Sequence, residues 1–181
     1  SEFWDEEIEM IQAARFLFLA TAWGDYVDCT IKSGDPGFIK ITGPGQLEYP
    51  EYDGNSMYRT VGNIQKNPNV GLLFVVFDGK SRRIRINGRA TVHQDAETLA
   101  RHYGAMLVVR IECEIYPNCP RYIPNLSQAK EESPYVPREG RGLPPAPEWK
   151  SRDIYRDNLP ADDPHRQQVQ AASNDKQDKP E

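Results

Sequence analysis

Tyr52-Asp53-Gly54-Asn55-Ser56-Met57-Tyr58-Arg59-Thr60-Val61-Gly62-Asn63-Ile64-Gln65-Lys66-Asn67-Pro68, followed by the apolar run VGLLFVVF at 70–77, carries the most telling local pattern in the chain. Asn55 is a good N-cap and Gly54 allows close backbone approach, so a helix is expected over 55–67. Met57, Val61 and Ile64 make an i, i+4, i+7 stripe that should pack inward, leaving Asn55, Arg59, Asn63 and Lys66 on the other side. Pro68 stops the helix, and 70–77 reads as a buried strand. The first turn of a helix has unpartnered N–H groups and partial positive charge, which suits phosphate. Arg59 adds a planar, always charged fork there.

A second pattern follows at once. Residues 82–93 alternate as a strand, with Arg83, Arg85, Asn87 and Arg89 on one face and Ile84 and Ile86 on the other. A row of arginines must meet water, carboxylates or a bound anion, because an unpaired buried charge is too costly.

Working outward, Asp5, Glu6 and Glu7 in the first turn and Trp4, Ile8 and Ile11 at helical spacing predict a covering helix over 3–14. Strands are expected at 16–22, 26–33, 37–41 and 46–50, separated by Trp23-Gly24-Asp25, Asp35-Pro36-Gly37 and Gly43-Pro44-Gly45. A short helix at 95–103, capped by Asp95 and closed by Gly104, leads into a last strand at 105–116. Six or seven short antiparallel strands with peripheral helices imply a mainly β, Greek-key-like small barrel rather than a parallel sheet. From Pro117 the character changes, with eleven of the 15 prolines in what remains. Residues 117–165 read as an extended arm whose Tyr122, Tyr135, Trp149 and Tyr155 need a surface to cover them, the barrel's own or a partner's. Residues 166–181 are polar and read as disordered.

The set Tyr52 to Asn67-Pro68, Val70-Gly71-Leu72-Leu73-Phe74 and Arg83-Ile84-Arg85-Ile86-Asn87-Gly88 resembles the pyridoxamine 5′-phosphate oxidase-like flavoproteins, the FMN-binding split-barrel superfamily. Phe18-Leu19-Ala20-Thr21-Ala22 resembles its first strand, and Cys29 to Phe38 its second strand and following loop. Pro117-Asn118-Cys119-Pro120-Arg121-Tyr122 and Pro147-Glu148-Trp149-Lys150 are similar to a bacterial branch of predicted flavin-nucleotide-binding proteins. The resemblance implies a homodimer with FMN in a groove between two barrels, and a small-molecule substrate or electron donor. It assigns cofactor binding to Lys32, Ser33, Tyr52, Asn55, Arg59, Thr60, Arg83 and Arg85. Arg59 matches the phosphate-binding arginine. Thr60 stands where a lysine usually follows it, and Arg83 stands where many members have a flavin-contacting glutamine. Lys40 competes with Lys32 for the phosphate, because the loop after Lys32 is longer than usual.

The tryptophan, Arg-Leu and proline segment of the true oxidases is not reproduced by Trp149, Lys150 and Arg152, so vitamin B6 oxidation is not expected. No Ser/His/Asp set, carboxylate pair or metal spacing is legible, and no residue is assigned as catalytic or metal-binding. An isoalloxazine ring performs hydride chemistry itself, so an FMN-dependent oxidoreductase is the leading reading. A non-catalytic flavin, deazaflavin or haem carrier on the same barrel is the alternative.

The chain of 181 residues suffices for one domain with a substantial core, and its formal charge of −5 disfavours general nucleic-acid binding. Cys29, Cys113 and Cys119 lack metal-type spacing and cannot all pair, which points to a reducing cytoplasm. No run approaches a membrane span and no signal peptide is visible, so no membrane association is expected.

Overall fold

The computed structural model describes residues 2–54, 56–76, 82–116, 136–140, 142, 148–152, 159, 161, 163 and 166. They belong to two compact units, one comprising 1–52 and 58–144, the other 53–57 and 145–181.

The first unit is built on seven strands: β1 (Phe16–Trp23), β2 (Tyr26–Ser33), β3 (Lys40–Gly43), β4 (Gln46–Glu51), β5 (Asn69–Val75), β6 (Arg83–His93) and β7 (Leu107–Tyr116). They form one antiparallel sheet in the order β2-β1-β5-β6-β7-β4-β3, accompanied by α1 (Asp5–Ala13), α2 (Arg59–Lys66) and α3 (Ala96–Ala100). Period-2 alternation separates the two faces. Leu17, Leu19, Leu72, Phe74, Ile84, Ile86, Ile111, Leu47 and Tyr49 point inward and are essentially water-free. Each large apolar side chain buried this way contributes about 1.5–3 kcal/mol. β-branched and aromatic residues fill this pleated surface well, which is why runs such as Arg83–His93 become strands.

The sheet curls enough to bring its two ends together. β2 is the first strand of the order and β4 the last but one, yet Lys32 Nζ lies 2.7 Å from Glu51 Oε1 and 2.8 Å from Glu51 Oε2. Tyr49, fully buried, donates its hydroxyl to the same carboxylate at 3.3 Å. Burial and the Glu51 charge hold that phenol well above its ordinary pKa. A mainly β split barrel is therefore the fold, as expected from the strand count.

Gly88 on β6 has no room for a side chain. A Cβ there would lie 2.6 Å from the Glu112 carbonyl oxygen and 2.6 Å from Ile111 Cγ2, so β6 can pass β7 at this register only without a side chain.

Several local expectations need correction. α2 begins at Arg59 rather than 55, because Ser56 (φ 58) and Tyr58 (φ 43) are left-handed and cannot continue a right-handed helix. Met57 thus lies before the helix and is 65% exposed. The inward stripe is Thr60, Val61, Asn63 and Ile64. Asn63, expected on the polar side, is buried and donates to Thr21 Oγ1 at 3.0 Å. Asn67 donates to the Ala22 carbonyl at 3.0 Å, tying the end of α2 to β1. In α1 the buried residues are Met10 and Ile11, while Trp4 caps the helix in extended backbone and is exposed. β3 starts at Lys40, later than expected, because Phe38 and Ile39 turn into the core first.

In the second unit, Lys150 is 1% exposed, and its ammonium meets Asp53 Oδ1 at 2.9 Å, Asp53 Oδ2 at 2.7 Å and Asp163 Oδ2 at 2.8 Å. Arg166 donates to the Leu159 carbonyl at 2.7 Å. The expectations for Phe77, for the polar tail beyond Arg166, and for the anchors Tyr122, Tyr135 and Tyr155 lie outside the described residues, as does the side chain of Trp149.

Candidate functional site

The outward face of the sheet is where the predicted ligand residues on β6 stand. Register defines it in rows, because residues opposite one another across paired strands share a face. One row runs Ile31, Phe18, Leu73, Arg85, and the next Cys29, Ala20, Gly71, Asn87, Glu114. Arg83, Arg85, Asn87 and Arg89 do share one face, alternating with buried Ile84 and Ile86. Arg89 also donates to Asn69 Oδ1 at 3.2 Å.

Beside this cationic strand the face is apolar. Phe16 and Phe18 meet edge to face at 5.6 Å, and Val27 and Ile31 on β2 are 79% and 54% exposed. Ala20 and Gly71 keep the middle of the face low; a Cβ on Gly71 would only touch that of Ala20 at 3.9 Å. Exposed apolar surface next to arginines is costly to leave in water and suits a flat, partly anionic ligand or a second protein surface.

Arg59 is the first residue of α2 and exposed, with no partner for its guanidinium among the described residues. The first intrahelical bond is Gly62 N–H to the Tyr58 carbonyl at 2.9 Å, so the N–H groups of Arg59, Thr60 and Val61 precede the helical ladder. Arg59 therefore stands at the observed start of α2, four residues after the expected one, rather than one turn inside the helix.

The other expected ligands are distributed differently. Lys32 points to the inner side, held by Glu51 at the barrel seam, whereas Ser33 alternates to the exposed outer side opposite Phe16. Thr60, expected to bind the cofactor, is on the buried side of α2. Lys40, the alternative to Lys32, lies on β3 opposite Glu48. Tyr52 follows β4; burial and the nearby Asp35 carboxylate push its phenol pKa up. Asp35 in turn accepts from Arg138 Nη2 at 2.8 Å. Asn55 and Cys119 lie outside the described residues.

Pattern reading missed the carboxylates that neutralise these cations. Glu51 holds Lys32, Asp35 holds Arg138, and Glu48, wholly buried, holds Arg101 (2.9 Å), Arg110 (2.6 Å) and His102 (3.4 Å). Burial opposes the ionised form of Glu48, but the hydrogen bonds from Arg101, Arg110 and His102 outweigh it and bring its pKa down to about 2. His102 is pushed down by its burial. These partners are 19 to 103 residues apart in sequence, so no local signal announces them. Among the described residues no group of three His, Cys, Asp or Glu side chains is placed to hold a metal ion.

This barrel, with a basic strand on its outward face and an arginine opening α2, is a split barrel by architecture. The family profile described as pyridoxamine 5′-phosphate oxidase matches residues 3–121, and the chain belongs to that family. Among solved structures it is similar to HupZ of Group A Streptococcus (18% identity, 62% of this chain and 97% of that one, TM-score 0.47). It is also similar to a conserved hypothetical protein of Mycobacterium tuberculosis (16%, 70% and 92%, TM-score 0.48). A third similar structure is an FAD-binding protein of Mesorhizobium loti (17%, 63% and 92%, TM-score 0.44). No curated protein matches the chain.

Proposed function

We propose that the protein is an FMN-binding flavoprotein, an oxidoreductase that acts on a small molecule as a two-fold homodimer with the flavin between two barrels. The observation that carries this reading is the outward face on which Arg83 and Arg85 border the apolar surface of Phe16, Phe18, Ile31 and Leu73, in a chain of this family.

The donor set suits FMN. Arg59 and the N–H groups at the start of α2 would take the phosphate, and Arg83, Arg85 and Asn87 offer donors to ring carbonyls. Lys32 does not join them while Glu51 holds it. One phosphate site with no Gly-x-Gly-x-x-Gly fingerprint favours the mononucleotide over FAD. Bound FMN supplies the hydride and electron chemistry. The chain's residues bind it, orient it and, through the apolar face of a second copy, exclude water from it.

Heat-released ligand from the purified protein, identified by mass spectrometry, tests the cofactor. FMN as the dominant species is expected, and FAD in its place would overturn the assignment. Bleaching of the bound flavin by NADH or NADPH, with reoxidation by an added acceptor, is expected of an oxidoreductase. A flavin that neither donor reduces would instead mark a carrier.

A further inference from the structure

The proline-rich stretch from Pro117 has no part in the flavin reading, yet its residues 136–140 and 142 belong to the same compact unit as the barrel. Pro137 is buried and the Arg138 side chain is 14% exposed, whereas Glu139, Gly140 and Gly142 face water. A bridge between Arg138 and Gly142 closes this piece into a tight turn, for which Gly140 (φ 80) and Gly142 (φ 76) supply left-handed backbone. Arg138 meets Asp35, 103 residues earlier, with its whole fork, Nε on Oδ2 at 2.5 Å and Nη2 on Oδ1 at 2.8 Å. Two parallel charge-assisted bonds between planar groups fix orientation as well as distance.

Asp35 is a firmly held receptor for that fork. It lies in the loop between β2 and β3, where the Gly34 and Gly37 N–H groups donate to the Arg15 and Gln12 carbonyls at 3.0 and 2.8 Å. The Phe38 N–H donates to the Asp35 carbonyl at 2.9 Å, and the buried Phe38 ring packs so close to Gly34 that a Cβ there would overlap it. None of these bonds involves residues 136–142, so the loop has its own reasons to keep its shape. Tyr52 stands near enough for the Asp35 charge to act on its phenol.

We propose that residues 137–142 are a detachable strap, latched to the β2–β3 loop by Arg138 on Asp35. The molecule then has a closed and an open form that differ at the corner where Asp35 and Tyr52 stand. The asymmetry of the two partners makes it a strap. The loop is tied to α1 and to the core, while the turn exposes its tip and reaches the loop through one fork. When the fork lets go, the Asp35 carboxylate turns to water and the barrel stays folded. Such local opening costs far less than unfolding the sheet. The inference is independent of the flavin reading.

Hydrogen exchange and limited proteolysis of the full chain, without ligand, test it. Asp35→Asn discharges the receptor, and Arg138→Gln removes the fork from the other end, in case the first variant fails to fold. Amides of residues 138–142 should exchange about tenfold faster in both variants than in wild type, while those of Gly34, Gly37 and Phe38 and of β1 and β2 keep their wild-type rates. Arg138→Lys, which keeps the charge but not the paired bonds, should fall between. A glutamate-specific protease, with fragments identified by mass, should cut after Glu139 about tenfold faster in the two variants, because cleavage needs the turn to open. Unprotected 138–142 amides in wild type would overturn the closed form. Unchanged exchange in both variants would overturn the latch. Faster exchange of the 34–38 loop by the same factor would show the two pieces melting together and would overturn the strap.

Discussion

Arg59 and Lys32 show how differently two cations of one chain can be employed. Arg59 is exposed at the head of α2, so Arg59→Ala should leave the fold intact and weaken FMN binding by about 1.5–3 kcal/mol, the loss expected for a charge-assisted hydrogen bond. Titration of apo-protein measures this; an unchanged dissociation constant would place Arg59 outside the site. Lys32 is spent on Glu51 at the barrel seam, and its loss should register in stability before affinity. Both residues were legible as basic positions. That one is neutralised was not, since Glu51 lies 19 residues away on a strand that meets β2 only when the sheet curls. Glu48 is a third case. Its pKa is lowered from 4.5 to about 2, so the folded state releases its proton more readily than the unfolded one. The stabilisation is present above the unfolded value and is lost as pH falls from about 4.5 through about 2. Acid unfolding followed by circular dichroism should therefore show wild type losing stability over that window more steeply than Glu48→Gln. The variant, with two arginines left facing an amide, should be less stable at neutral pH by about 3 kcal/mol.

At the scale of elements, β6 is the pivot of the fold. It pairs β5 on one side and β7 on the other, turns Ile84 and Ile86 to the core, and presents Arg83 and Arg85 outward. At Gly88 a Cβ would run into the β7 backbone at Glu112. Gly88→Ala should cost about 1–3 kcal/mol through overpacking against backbone, while Gly71→Ala, whose Cβ has room, should be nearly neutral apart from strand propensity. Thermal melts of the two variants give the comparison, and equal melting temperatures would contradict it. The alternation of β6 was readable because period 2 is a local property. The start of α2 was misread for the opposite reason. Asn55 offers a good cap and 55–67 a helical pattern, but the backbone turns left-handed at Ser56 and Tyr58, and the helix waits until Arg59.

For the whole molecule the question is what covers the outward face. Val27 and Ile31 on an edge strand and Phe16 and Phe18 beside them form an apolar strip that a monomer leaves in water. A closed two-fold dimer is the commonest way to hide such a surface. Ile31→Glu should then yield a well-folded monomer that no longer retains flavin, because Ile31 is exposed in the single chain and contributes little to the barrel core. Sedimentation velocity at micromolar concentration measures this, and wild type sedimenting as a monomer with FMN bound would refute the shared site. Among the described residues no helix is long and apolar enough to cross a membrane.

By itself the sequence determined the strands, their inner and outer faces, the antiparallel barrel and the basic strand. Each of these follows from periodicity and turn chemistry within a few residues, where sterics and burial act locally. Only the tertiary structure decided which charges remain available. Pairing of Lys32 with Glu51, of Glu48 with Arg101 and Arg110, and of Lys150 with Asp53 joins residues from 19 to 97 positions apart. A buried charge selects its counter-ion by distance in space, and the curl of the sheet and the return of the C-terminal segment to residue 53 set those distances.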